Sequence, residues 1–217
     1  MINEQDSLYS LVELMKQKAP AYFKLLAAKS EGEFDEALDT MFEGAVSHLE
    51  ANSKNFESLN EVGLSGVLAA FLSMPGLTIT QEAHSNGHVD LTIVADHCMP
   101  ARRRLGEAKI YNGPAYHVAG LKQLLHRYMT GREGRGIVIA YVRKKNIAGL
   151  MKEIRAHMDC DHPCQQQGET IEHTLKWSFT STHTHSCGEN LPISHIGCNL
   201  FVDHTLTPTV CKSGQDD

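Results

Sequence analysis

Two short segments, HVDLTI at 88–93 and GEAKI at 106–110, carry the side chains best suited to chemistry. Side chains of an extended strand alternate between its faces, so residues two apart point the same way. Glu107 and Lys109 therefore share one face, while Ala108 and Ile110 turn to the other. The same alternation sets Asp90 opposite Val89, Leu91 and Ile93, which are expected to fill a core. Two carboxylates and an ammonium group on neighbouring strands can hold a divalent cation and polarise a water molecule, the requirements of metal-assisted phosphodiester hydrolysis. The plainer alternative is a structural ion pair at the end of a sheet.

Several elements must position these groups. Leu8, Leu11, Val12, Met15, Tyr22, Phe23 and Leu26 recur at helical spacing, with Pro20 as a kink or break. A second helix follows Gly32 through Phe34, Leu38, Met41, Phe42, Val46 and Leu49, and a third is expected from about Phe56 to Ser73. The period then shortens. LTITQEA at 77–83, HVDLTIVAD and RRRLGEAKIY alternate as three successive strands. Pro114 opens a helix that buries Val118, Leu121, Leu124, Leu125 and Tyr128, and GIVIAYV at 136–142 reads as a strand covered on both faces. A helix from NIAGLMKEIRAHM and two strands after Glu169 complete an α/β chain with a central mixed sheet flanked by helices.

The net charge of −6 over 217 residues conceals a strong asymmetry. Residues 1–61 hold twelve Asp/Glu against five Lys/Arg, net −7, whereas residues 101–145 hold eleven Lys/Arg against two Asp/Glu, net +9. A basic field beside the candidate metal site suits a phosphate backbone. Its candidate nucleic-acid contacts are Arg102, Arg103, Arg104, Lys122, Arg127, Arg143, Lys144 and Lys145, against the ordinary alternative of a solvated basic face. No run of eighteen apolar residues and no signal-peptide pattern is present, so a cytoplasmic, membrane-free protein with six reduced cysteines is expected. Cys160, Cys164, His157 and His162, or His183, His185, Cys187 and His195, supply zinc-ligand types without zinc-site spacing. GREGRG at 131–136 lacks the Lys-Ser/Thr ending of a phosphate loop, and no Ser-His-Asp arrangement stands out.

The pattern resembles the PD-(D/E)XK nuclease superfamily, with its restriction-endonuclease-like fold. Asp90 in GHVDLTI matches the first acid of the motif, Glu107-Ala108-Lys109 matches ExK, and Glu61 in LNEVGLSGVLAAFL looks like the acid of the preceding helix. Val89 stands where the superfamily's name places proline, and Tyr128 follows Gln123 by five residues where a QxxxY arrangement has four. The stretch GEAKIYNGPAYHVAGLKQLLHRYMTGREGRGIVIAYVRKKNIAGL and the later HPCQQQGETIEHTLKWSF look like a bacterial defence-type member. The resemblance implies a nuclease domain over residues 53–205, after an N-terminal helical region (1–52) for dimerisation or regulation and before a frayed tail (206–217). It implies Mg²⁺ or Mn²⁺ held by Glu61, Asp90, Glu107 and the Ala108 carbonyl. Asp90, Glu107, Lys109 and Gln123 would be the catalytic set, and DNA the substrate. The expected partners are nucleic acid and a second copy or another protein of an anti-phage system. An inactive nuclease-fold binding module is the alternative, and a third reading makes Phe34, Leu38, Phe42 and Val46 a dimer or partner interface.

Overall fold

Local signals cut the helical half at well-defined places. The computed structural model describes residues 4–81, 83–84 and 88–206, so expectations for the 206–217 tail fall almost wholly outside it. Helix α1 (Glu4–Lys18) gives way to α2 (Pro20–Ala27), whose first residue is the proline, the position where a missing N–H costs least. Ser30 caps α3 (Glu31–Ala51) by accepting the Glu33 N–H at 3.2 Å, and Glu33 reaches back to the Lys29 N–H at 2.7 Å. Asn60 caps α4 (Glu61–Leu72) through the Gly63 N–H at 2.9 Å, so this helix starts later than the apolar spacing alone suggests.

The strands are β1 (Thr78–Thr80), β2 (Ala83–His84), β3 (His88–Val89), β4 (Leu91–Ala95) and β5 (Arg102–Ile110). After helix α5 (Pro114–Gln123) and a π-helical turn (Leu124–Tyr128) come β6 (Arg135–Val142), helix α6 (Ile147–Asp161), β7 (Ile171–Glu172), β8 (Phe179–Thr184) and β9 (Asn190–Asn199). Seven of them form one mixed sheet in the order β1-β4-β5-β6-β9-β8-β7, and β2 and β3 form a separate ribbon. β5, β6 and β9 are parallel and central, with antiparallel pairs on either side. Every residue of β6 is buried, as a strand covered on both faces requires. Among the described residues, no helix is long and apolar enough to cross a membrane.

Two cores sandwich the sheet. Leu38, Phe42 and Leu49 of α3 and Leu64 and Leu68 of α4 pack on Ile93, Ala108, Ile137 and Ile139. Leu121 and Leu124 pack with Ile154 and Met158 of α6 on Leu105, Val138 and Ala140 of the opposite face. Phe34, Leu38, Phe42 and Val46 are thus interior residues, not a partner interface, and α3 shares one core with the sheet instead of standing apart as a separate region. HVDLTI is not one strand either. The chain bends at Asp90, sending Val89 to the α5/α6 core while Leu91 and Ile93 enter the α3/α4 core.

Part of the charge asymmetry is satisfied internally. Arg104, 1% exposed, donates to Asp35 Oδ1 at 2.8 Å, Glu31 Oε2 at 2.6 Å and the Arg103 carbonyl at 2.9 Å. Arg102 donates to Glu31 Oε1 at 2.8 Å, and Arg135 grips Asp39 through two bonds of 2.9 and 2.6 Å. Burial alone would raise the Glu31 carboxyl, but the bonds and charges of Arg104 and Arg102 outweigh it and hold it below its ordinary value. Arg102 and Arg104, expected on nucleic acid, are therefore committed to α3. Asp35→Ala strips Arg104 of a partner in a dry setting and is expected to lower the unfolding free energy by about 3–5 kcal/mol. Urea unfolding checks this, and a loss below about 1 kcal/mol would place the pair among surface bridges.

Candidate active site

β4 ends before the end of β5 that carries Glu107 and Lys109. Its last pairing on this side is Leu91 with Gly106, so the amides of Ala108 and Ile110 pass beyond its end. Two carboxylates take over as acceptors. Asp90 Oδ2, at the bend, accepts the Ala108 N–H at 2.8 Å, and Glu61 Oε1, at the first residue of α4, accepts the Ile110 N–H at 2.9 Å. Both acids are thereby fixed against the strand that carries Glu107 and Lys109. Lys109 Nζ lies 2.7 Å from Glu107 Oε1 and 3.9 Å from Glu61 Oε2. The structure brings Glu61, Asp90, Glu107 and Lys109 to one end of β5.

Helix α5 closes over this end because Gly120 lets it. A Cβ there would stand 3.2 Å from Lys109 Cγ and 3.5 Å from Glu107 Cγ, so a side chain would crowd both. Under that cover the Glu107 side chain is only 3% exposed. Burial first, and then the neighbouring Asp90 charge, raise its carboxyl to about 7 against the opposing pull of Lys109. Burial would lower the Lys109 ammonium, but its bond to Glu107 outweighs that and raises it. Glu107 Oε2 is buried with no hydrogen-bond partner, and so is Gln123 Oε1. Unsatisfied buried acceptors are rare and call for a donor or a cation.

Gln123 ends α5 where the helix widens. The Met129 N–H donates to the Leu124 carbonyl at 3.0 Å, an i→i+5 bond that places one extra residue in the turn. Five residues of the wider turn bring Tyr128 back towards the side of Gln123, which four would do in an α-helix. The Tyr128 hydroxyl is raised by burial and then by the charges of Glu107 and Asp90, so it senses the site while packing in the core. The sequence offers Tyr128 both as a core residue and as a QxxxY-like partner of Gln123. The five-residue spacing was the signal, and Gly120 gave none.

The remaining basic candidates divide. Lys122, Arg127, Lys144 and Lys145 are exposed, with Lys144 over the Tyr111 ring at 5.5 Å and Lys145 3.8 Å from Asp203. Arg143 donates to the Leu59 carbonyl ahead of α4, and Arg103 is half-buried with an unpartnered Nε. Two of the histidines considered for zinc, His183 and His195, enter a buried chain instead. His117 Nε2 meets His195 Nδ1 at 2.8 Å, His195 Nε2 meets Ser181 Oγ at 2.7 Å, Ser181 Oγ meets His183 Nε2 at 2.6 Å, and His183 Nδ1 meets the Cys164 carbonyl at 3.1 Å. Among the described residues, no three His, Cys, Asp or Glu side chains converge as a metal-binding group as they stand. By chemistry, the hard carboxylate oxygens of Asp90, Glu107 and Glu61, with the orphaned Glu107 Oε2, fit Mg²⁺ or Mn²⁺.

A raised Glu107 makes stability depend on pH. The folded chain holds that proton more tightly between the ordinary 4.5 and about 7. Its contribution is therefore complete below the lower value and is lost as pH rises through the upper one. In metal-free buffer, Glu107→Gln is expected to flatten this part of the urea-unfolding profile. Asp90→Asn is expected to move the Glu107 titration down, read by carboxyl carbon NMR. An unmoved titration would show that Asp90 does not act on it.

No family model, curated protein or solved structure matches this chain.

Proposed function

We propose that this chain is a metal-dependent nuclease, hydrolysing phosphodiester bonds in DNA from a PD-(D/E)XK-type site on a restriction-endonuclease-like fold. One observation carries the reading: the buried Glu107 carboxyl, with an oxygen left unpartnered, lies beside Asp90 and Lys109 under a helix held close by Gly120. A structural ion pair would not require a second acid pushing against the first. Asp90, Glu107, the Ala108 carbonyl and Glu61 would hold Mg²⁺ or Mn²⁺, which, when bound, acidifies a water and offsets charge on the phosphate.

The chain's own groups supply the rest. Asp90 and Glu61 are ordered in advance by the amides of Ala108 and Ile110, so little side-chain entropy remains to be lost. The Lys109 ammonium exchanges its bond to Glu107 for the attacking water and faces the charge developing on phosphorus oxygens. Gln123, at the start of the π turn, positions that water or the scissile phosphate. Exposed Lys122, Arg127, Lys144 and Lys145 hold the flanking phosphates without reading sequence. An effector role in bacterial anti-phage defence is part of the same proposal.

Supercoiled plasmid incubated with the protein in Mg²⁺, Mn²⁺ or EDTA tests it. Metal-dependent cutting is expected to fall about a thousandfold or more in Asp90→Ala and Lys109→Ala. Cutting that is equal in both variants would place the activity elsewhere. Calorimetric titration with Mn²⁺ near pH 7 is expected to show binding with proton release from Glu107, lost in Asp90→Ala. Absence of both cutting and binding would refute the nuclease and favour an inactive nuclease-fold module.

A further inference from the structure

The amino-terminal helix leaves an apolar surface without a cover. On α1, Leu8, Leu11, Val12 and Met15 share a face at helical spacing, with Tyr9 and Leu14 on its flanks. Leu8 is 63% exposed, Tyr9 69%, Leu11 53% and Leu14 51%, a concentration of large apolar side chains that monomer surfaces rarely keep. Elsewhere in the same chain lies a matching vacancy. Between α2, α3 and the segment before β8 is a groove of about 700 Å³. Phe23, Ala27, Ala37 and Leu175 line it, and Glu36 and Glu43 stand among its acids. Lys24 is the single basic residue among the described lining side chains.

The helix cannot fill the groove of its own chain. The Ala19 N–H donates to the Met15 carbonyl and the Phe23 N–H to the Ala19 carbonyl, both at 2.9 Å, carrying the helical ladder across the junction. Folding α1 back over α2 would break those bonds and demand a reversal within one residue. A second copy has no such restraint.

We propose that two copies of this chain exchange their α1 helices, each lying in the α2/α3 groove of the other. The apolar face meets the apolar floor, and the basic carboxyl-terminal turn, with Lys16 and Lys18, meets the acidic rim with Glu36 and Glu43. Each copy gives its helix and receives its partner's, so the two contacts are equivalent and the exchange closes as a two-fold dimer. The surface is distinct from the Asp90/Glu107/Lys109 site.

Sedimentation velocity of the full chain over a concentration series tests the exchange. The expected species has twice the chain mass. Leu8→Glu with Leu11→Glu is expected to weaken the dimer by about a hundredfold or more while the thermal unfolding of the monomer is retained. Glu36→Lys with Glu43→Lys weakens it from the groove side, and adding Lys16→Glu with Lys18→Glu restores it. A wild-type monomer at every concentration overturns the proposal and leaves the groove to a small ligand or another protein. A dimer broken by the helix variant but untouched by the groove variant also overturns it, in favour of α1 pairing with α1.

Discussion

The side chain on which the architecture turns is Arg104. It lies at the base of β5 with almost no exposure, and its guanidinium is engaged by Asp35, Glu31 and a neighbouring carbonyl. A buried guanidinium is tolerable only with matched acceptors, so α3 must pass over β5 at one height and one angle. Arg135, on the next strand, repeats the demand with Asp39. Two adjacent parallel strands are thereby tied to successive turns of one helix. The apolar contacts of Phe34, Leu38 and Phe42 supply the bulk of the attraction, while the arginines fix where it acts.

Much of this was legible in the sequence, and the reasons are physical. The continuous apolar run at 136–142 reads as a buried parallel strand because water reaches neither face, and β6 is that strand. Glu107 and Lys109 fall on one face because strand alternation is local. What could not be read is non-local. Nothing in RRR says that the first and third arginines meet an acidic helix some seventy residues earlier while the second stays half-buried. Nothing in HVDLTI says that the strand breaks at Asp90, because that break answers to the sheet on one side and to a separate ribbon on the other.

The candidate site follows from that break. Had β4 continued, the amides of Ala108 and Ile110 would bond to a neighbouring backbone, and no side chain would be needed there. Its early end leaves two donors, and acids from two different elements answer them. Negative charge thus gathers at the end of β5 for a backbone reason, and the burden falls on Glu107, the acid with the least water around it. A cation would relieve that burden, as Lys109 already does in part.

The buried histidines hold a different kind of order. The Cys164 carbonyl can only accept, so His183 carries its proton on Nδ1 and presents a bare Nε2 to Ser181. The hydroxyl must then donate to His183 and accept from His195, whose Nδ1 in turn accepts from His117 Nε2. One carbonyl thereby dictates the tautomer of three rings across two strands and a helix. All four donors point the same way along the chain, and the vacancy is passed to its far end, the unpartnered His117 Nδ1. The arrangement has a polarity, like a line of dominoes leaning in one direction. Reversing it would set two acceptors against each other where His183 meets the Cys164 carbonyl.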